Sequence, residues 1–414
     1  MNKLNRKKIG DIMRFKRGYD LPIQDRIDGS FPVISSGGIT GYHNLFKSKG
    51  EGVIIGRVGT LGDVYYYNGK FWPHNNSLYI YDFKENYPKY VYYLIKCLGN
   101  LSISGTSTVP AINRNVLHEI VLPFIELPLQ YKVADCLYSI DSKIEVNNKI
   151  NQELEAIAKT LYNYWFVQFD FPDANGKPYK TSGGKMVFND ELKREIPEGW
   201  EVEKLSSSSQ IIDCLHSKKS DYLFENKECY LLQLENIKKD GLIDLTKKYY
   251  VSKDEYKRWT TRIEVQDSDL VITNAGRVAG LSQIPKNVKA GIGRNITAIR
   301  PSTIQPTFLY YTFQGAEMER QIKLNTDKGA FFKSLNVRGI KELFVVRPTK
   351  TLEDKFENIA LKHRRKRESN SIQNQKLTEL RDWLLPMLMN GQVRVGKVER
   401  ELSVVGEERE EYKN

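Results

Sequence analysis

The chain is poor in the residues that build covalent or metal frameworks. Its 414 residues include four cysteines, Cys97, Cys136, Cys214 and Cys229, and no two of them form a CxxC pair. A disulfide scaffold is therefore not expected, and a reduced, cytoplasmic protein is the simple reading. Five histidines, His43, His74, His118, His216 and His363, are scattered without zinc-ligand spacing. No apolar run approaches the roughly 18 residues that cross a membrane. The opening "MNKLNRKKIGDIMRFKRG" is basic but lacks an apolar core, so no secretory signal is expected in it. The glycines of "GRVGTLG" (56–62) are spaced GxxGxxG, unlike a dinucleotide or P-loop fingerprint, and fit a tight strand connection.

What is present is a positive charge and a repeat. Hydrophobic content is 40%, charged content is 28% and the net charge is +12. A globular protein with apolar cores is expected, and at roughly 150 residues per domain it should have two or three. The charge favours a polyanionic partner, most simply nucleic acid. The sequence is also written twice. "YPKYVYYLIKCLGNL" (87–101) matches "QPTFLYYTFQGAEME" (305–319), with Tyr92-Tyr93 against Tyr310-Tyr311. "AINRNVLHEIVLPFIELPLQYKVADCLYSID" (111–141) matches "SLNVRGIKELFVVRPTKTLEDKFENIALKHR" (334–364). "HNNSLYIYD" (74–82) resembles "GRNITAIRP" (293–301), and "IIGRVGTLG" (54–62) resembles "VITNAGRVAG" (271–280) in a looser register. The order is kept throughout, so the architecture reads unit, helix, unit, helix. Within the units, "GVIIG", "DVYYY", "SLYIY" and "EIVLPF", then "DLVIT", "NITAI" and "ELFVV", read as strands between Gly, Pro, Asn and Ser punctuation.

Both helices carry seams. Stepping four and three from Val133 gives Leu137, Ile140, Ile144, Asn147, Asn151, Leu154, Ala158, Leu161 and Trp165, nearly all apolar. The second helix offers Leu352, Phe356 and Ile359, a basic stretch "KHRRKRESN", then Leu377, Leu380, Leu384 and Met387. Its apolar spacing resumes four residues late, so a local stutter is expected. A break is expected at Pro386 and an end at Gly391. Each helix could pack on its own unit, but two such seams fit each other better. Asn147 and Asn151 would then set register at some cost in stability. The run from Leu129 to Trp165 would be about 55 Å long at 1.5 Å per residue. An antiparallel pair would set two DNA readers at its ends, spaced by about 16 base pairs.

With the repeat, the helices and "NNKINQELEAIAKTLYNYWFVQFDFP" in view, the chain resembles the specificity subunit of type I restriction-modification systems over nearly all its length. "VPAINRNVLHEIVLPF" resembles the close of that family's first target-recognition domain, "REIPEGWEVEKL" the entry to its second, and "LTELRDWLLPMLMNGQV" its distal helix. The resemblance implies an α+β chain of two strand-rich target-recognition domains separated by two long antiparallel helices. The divisions are then residues 1–126, a central helix and linker at 127–195, residues 196–347, a distal helix at 348–395, and a charged tail at 396–414 expected to be disordered. It implies a non-catalytic reader of a bipartite, asymmetric site in double-stranded DNA. Two methylation subunits would dock on the helices and recruit restriction subunits. S-adenosylmethionine, Mg²⁺ and ATP would belong to those partners, with no cofactor, metal or membrane contact in this chain. The Asn/Asp-Pro-Pro-aromatic string of an adenine methyltransferase is lacking. Two other readings are a stand-alone DNA-binding regulator or scaffold, and a Mg²⁺ nuclease built on Asp173 and Glu191 to Lys193. The latter residues lie in a Gly-, Pro- and Lys-rich stretch that reads as linker.

Base readout needs Arg, Lys, Asn or hydroxyl side chains on loops, and phosphate contact needs cations and free N–H groups. The first unit offers Ser36, Gly37, Arg57, Thr60, Thr106, Thr108, Asn113 and Arg114. The second offers Asn274, Arg277, Arg294, Asn295, Lys328, Lys333 and Ser334. Asn113 and its repeat partner Asn336 are equally turn residues. Lys362 to Arg367, "KHRRKR", is either a solvated helix face or a phosphate or partner contact.

Overall fold

A computed structural model describes residues 5–58, 62–98, 112–215, 222, 228–328 and 333–393. The charged tail, Thr60, Thr106 and Thr108 lie outside the described residues, as does the side chain of Lys328. The chain packs as two units, one of Met1–Val146 with Asn374–Asn414 and one of Asn147–Gln373.

The first unit holds a six-stranded sheet in the order Arg14–Arg17, Ser77–Asp82, Ser48–Gly56, Val64–Pro73, Phe31–Ser35, Gly38–His43. Val53, Ile54 and Ile55 are all buried because their strand is central and covered on both faces. Asn5–Lys8 pairs separately with Val121–Phe124. The second unit repeats the scheme. Its four-stranded sheet runs Ser209–Asp213, Ile296–Pro301, Leu270–Thr273, Leu281–Gln283, and Glu201–Lys204 pairs with Phe344–Arg347. It adds a three-stranded sheet of Tyr249–Val251, Cys229–Leu232 and Gly291–Ile292. The repeat in sequence is thus a repeat in strand order.

One helix in each unit begins with Pro and carries the Tyr-Tyr pair, Pro88–Cys97 and Pro306–Phe313. Each leaves orphan N–H groups at its start. The long helices cap them. Tyr87 N–H donates to Gln130 Oε1 at 3.0 Å, and Gln305 N–H donates to Glu353 Oε1 at 2.5 Å. Gln130 and Glu353 hold the same place in the repeat. In the second unit Glu357 adds bonds from Thr307 and Phe308 N–H, so its carboxylate faces the positive helix end although burial raises its pKa.

The long helices span Leu127–Tyr162 and Lys350–Met389. In the first unit Val133, Leu137 and Ile140 are buried in one core with Leu377, Leu384 and Leu388, and Ile144 and Leu380 are partly buried beside it. In the second unit Ala158, Tyr162 and Trp165 share a core with Leu352, Phe356 and Ala360, with Leu161 at its margin. Leu154 is half-buried. Between these apolar stretches the seam is polar. Asn147 Nδ2 donates to Gln373 Oε1 at 2.8 Å, and Asn370 Nδ2 donates to Asn151 Oδ1 at 2.9 Å. Numbers rise on one helix as they fall on the other, so the pair is antiparallel. The register that aligns Asn113 with Asn336 also aligns Asn147 with Asn370.

Four expectations change. Ile359 is 38% exposed, and the seam takes Ala360 instead. The expected stutter is not a break in the seam, which runs through Phe356, Ala360, Arg364, Arg367, Asn370 and Leu377, all buried. It looked interrupted because its middle is charged. "KHRRKR" is therefore neither a solvated face nor a free phosphate contact as a whole. Arg364 is 1% exposed and donates to the Gln283 carbonyl, and Arg367 is 2% exposed and pairs with Glu155. Lys362 and Lys366 alone stay fully on the outside. Pro386 sits inside the helix, which continues to Met389. So near the end its missing N–H disturbs only the last turns, and Gly391, at φ +64°, follows.

Asn151→Leu strands the Asn370 amide in a dry seam and is expected to destabilise the protein by about 1–3 kcal/mol. Adding Asn370→Leu should recover most of that loss. A thermal or urea double-mutant cycle measures it, and an additive loss would remove the asparagine pair from this account.

Candidate nucleic-acid interface

In the first unit four loop segments gather. The hairpin tip Ser36-Gly37 joins Phe31–Ser35 to Gly38–His43, and the Ser36 carbonyl accepts from the Tyr65 hydroxyl at 3.3 Å. His74 N–H donates to the Ile34 carbonyl at 2.8 Å, which sets the His74–Asn76 turn beside this hairpin. Arg57 N–H donates to the Asn76 carbonyl at 3.0 Å, and Ile112 N–H donates to the Arg57 carbonyl at 3.1 Å. The chain from Ile112 then enters the short helix Arg114–Glu119. Gly18 lets its strand end lie against this turn, because a Cβ there would stand 2.1 Å from the His74 carbonyl oxygen.

The geometry brings Ser36, Gly37, Arg57, Asn113 and Arg114 to one edge and adds Arg17, which the sequence reading passed over. Arg17 Nε donates to the Asn75 carbonyl at 3.2 Å, leaving the rest of its guanidinium outward. Arg14 and Arg114 both bear on His118, whose pKa is lowered by burial first and then by these two cations. The neutral imidazole accepts from Phe15 N–H at 3.2 Å. Among the described residues no carboxylate lies within 4 Å of Arg14, Arg17, Arg57 or Arg114. The signal for Arg17 was the basic run "MRFKRG", whose strand pairs with Ser77–Asp82 so that Arg17 stands opposite Leu78, next to the turn. Asn113 is a helix cap, with Oδ1 accepting from Asn115 N–H at 2.9 Å.

The second unit builds the same frame. Asn274 N–H donates to the Asn295 carbonyl and Leu335 N–H donates to the Asn274 carbonyl, both at 2.9 Å. These are the repeat counterparts of the Arg57 to Asn76 and Ile112 to Arg57 bonds, so Arg57 aligns with Asn274 and the looser register is fixed. Side chains differ in where they go. Asn274 Nδ2 turns inward to the Leu335 carbonyl and the Thr297 hydroxyl. Arg277 also turns back, donating to the carbonyls of Ile237 and Lys238. Asn336 caps Val337–Lys341 through Gly339 N–H at 2.8 Å. Arg294, Asn295 and Lys333 face out, and Ser334 is half-buried in the pair of Asp327–Lys328 with Lys333–Ser334. Asp173 lies in a surface turn of this unit, and its Oδ1 accepts from the N–H groups of Asn175 and Lys177. That carboxylate shapes a turn. Among the described residues no group of three His, Cys, Asp or Glu is placed to hold a metal ion, and no helix is long and apolar enough to cross a membrane.

Both edges offer cations, amides and backbone N–H groups on loops held by rigid strands, the chemistry that engages phosphates and base edges. Arg57→Ala or Arg114→Ala should weaken DNA binding by the assembled complex and flatten its log–log salt dependence by about one unit per lost phosphate contact. Asn113→Ala should instead lower stability by about 1 kcal/mol and leave the salt slope unchanged. A flattened slope for Asn113→Ala alone would reverse the assignment.

The chain is similar to known proteins in sequence and in fold. Residues 1–156 match the family described as the type I restriction modification DNA specificity domain. The type I restriction enzyme MjaIX specificity subunit of Methanocaldococcus jannaschii is 26% identical over 314 residues, 74% of this chain and 69% of that protein. The HindI specificity subunit of Haemophilus influenzae is 24% identical over 340 residues, 70% of this chain and 72% of that protein. A crystal structure of the type I S subunit from M. genitalium matches in fold with a TM-score of 0.59 at 16% identity, covering 94% of this chain and 97% of that one. Over residues 1–156 the chain is therefore similar to the type I restriction modification DNA specificity domain, and over 74% and 70% of its length to these two specificity subunits.

Proposed function

We propose that this chain is the DNA-recognition subunit of a type I restriction-modification complex. Each strand-rich unit reads one half of a bipartite, asymmetric site. The observation that carries this is the doubled loop edge, with one backbone frame in both units and different outward side chains on each. The chain itself neither methylates nor cuts. Adenine N6 methylation with S-adenosylmethionine, and ATP-driven cleavage where restriction subunits join, belong to partner subunits.

The methylation subunits dock on the long helices. In the second unit Ile150 and Ile157 on the first long helix, and Tyr164 in the π-helical turn Asn163–Val167 that follows it, recur every seven residues and are 37%, 51% and 38% exposed. That is a helix face with heptad spacing turned away from its own core, of the kind an apolar partner face covers. The length of this helix sets the spacer between the half-sites.

Exchanging residues 1–125 for another first recognition domain should change one half-site and leave the other intact, read by mapping genomic N6-methyladenine. A change in both halves defeats the modular reading, and unchanged methylation on deleting the gene defeats the function. Ile150→Asp with Ile157→Asp should abolish co-purification of the methylation subunit while the melting temperature holds, since neither side chain is buried. Unimpaired co-purification would place the dock elsewhere.

A further inference from the structure

Beside the Gly293–Asn295 turn of the second unit lies an open cleft of about 390 Å³, lined by Gln233, Glu235, Tyr249, Trp259, Arg294 and Asn295 among others. The turn is held firmly. Gly293 N–H donates to the Leu232 carbonyl at 2.8 Å, and the Asn295 carbonyl accepts from Asn274 N–H. Gly293 leaves room for the Gln233 amide, which would stand 2.4 Å from a Cβ there. Asn295 is left-handed, at φ +63°. A non-glycine residue rarely takes this conformation, and here it aims the turn tip outward. The tip residue, Arg294, is exposed, and among the described residues it has no hydrogen-bond or ion-pair partner.

The cleft therefore carries a free guanidinium and a carboxylate together. Glu235 already accepts from the Tyr249 hydroxyl and from Lys247 at 3.4 Å. This pairing discriminates between two nucleic-acid contacts. A phosphate entering the cleft would meet Arg294 but be repelled by Glu235. A base-pair edge presents acceptors and donors side by side. In the major groove only G·C combines guanine O6 and N7, which suit a bidentate arginine, with a cytosine N4 amine, which suits a carboxylate.

We propose that Arg294 and Glu235 read one G·C pair in the half-site of the second unit, Arg294 donating to guanine O6 and N7 and Glu235 accepting from cytosine N4. This rests on the reading of the chain as a DNA-recognition subunit. Asn295 and Gln233 hold the two readers in place.

The test uses the full chain assembled with its methylation subunits. The wild-type motif is mapped first, and then binding is measured on duplexes in which each pair of the second half-site is replaced in turn. Arg294→Ala should lose discrimination at one G·C position by about 5- to 150-fold, the span of a bidentate contact. Other positions and the salt slope should stay as they were. Glu235→Gln should relax the same position. Both side chains are on the surface of the cleft, and an unchanged melting temperature confirms the fold. Uniform weakening with a flatter salt slope would make Arg294 a phosphate contact and overturn the proposal, as would relaxation of two different positions by the two variants. If the wild-type complex shows no sequence preference, the recognition reading itself fails. If it shows a bipartite motif that neither variant alters, only this inference fails.

Discussion

The structure hangs on a polar lock that occurs once in each unit. In the first, the Tyr93 hydroxyl donates to Asp141 at 2.6 Å, and Arg381 donates to the other oxygen at 2.7 Å. In the second, the Tyr311 hydroxyl donates to Glu155 at 2.9 Å, and Arg367 pairs with the same carboxylate. The acids are two heptads apart on the first long helix, and the arginines are two heptads apart on the second. Burial, and then the adjacent carboxylate, pushes both phenols far above their usual range, so they remain donors at any physiological pH. An apolar seam tolerates slippage by a heptad at modest cost. A buried arginine moved off its carboxylate loses about 3–5 kcal/mol, so this seam does not. Apolar residues at these positions would hold the helices as firmly, so the ions contribute register and partner choice more than stability. Every acid of the lock lies on one helix and every arginine on the other, which favours the mixed pair.

The lock also orients the sheets. The tyrosines stand on the Pro-initiated helices, and the starts of those helices are capped by Gln130 and Glu353 from the long helices. Each sheet is thus tied to the helical pair at a helix start and at a hydroxyl six residues further on. Loops at the strand ends inherit that rigidity. The two backbone hydrogen bonds common to both edges then fix where Arg57 and Asn274 stand. A contact geometry good to a fraction of an ångström needs this chain of supports, because a reader on a slack loop would lose the angular preference that separates one base edge from another.

Much of this was legible in the sequence. The doubled Tyr-Tyr blocks point to the repeat, the short apolar runs to the strands, and Asn147 and Asn151, expected on the seam, hydrogen-bond across it to Gln373 and Asn370. The errors share a cause. Hydrophobic spacing treats charge as surface, so Arg364, Arg367 and Asn370 looked like an interruption of the seam when they are its middle. Ile359 was taken for a seam residue because it is apolar, although Ala360 has the right phase. At the loop edge, residue type alone could not separate Arg57, which has no carboxylate partner, from Asn274, which is consumed by the Leu335 carbonyl and Thr297. Arg17 reaches the edge only through a strand pairing some 60 residues away in sequence, which no local pattern encodes.

That same comparison shows how one fold can serve two unlike half-sites. The supports at the edge are backbone groups: the carbonyls of Asn76 and Asn295, and the N–H groups of Arg57, Asn274, Ile112 and Leu335. None depends on side-chain identity, so the frame survives substitution at its outward positions. The first unit places Arg57 where the second has Asn274, and Asn75 at the turn position where the second has Arg294. The free guanidinium has moved from one loop to the neighbouring one while the frame stayed put. A duplicated reader whose supports are in the main chain can diverge in what it contacts without refolding. On the proposed reading, two half-sites of different sequence can be served by one duplicated frame without a change in the architecture of either unit.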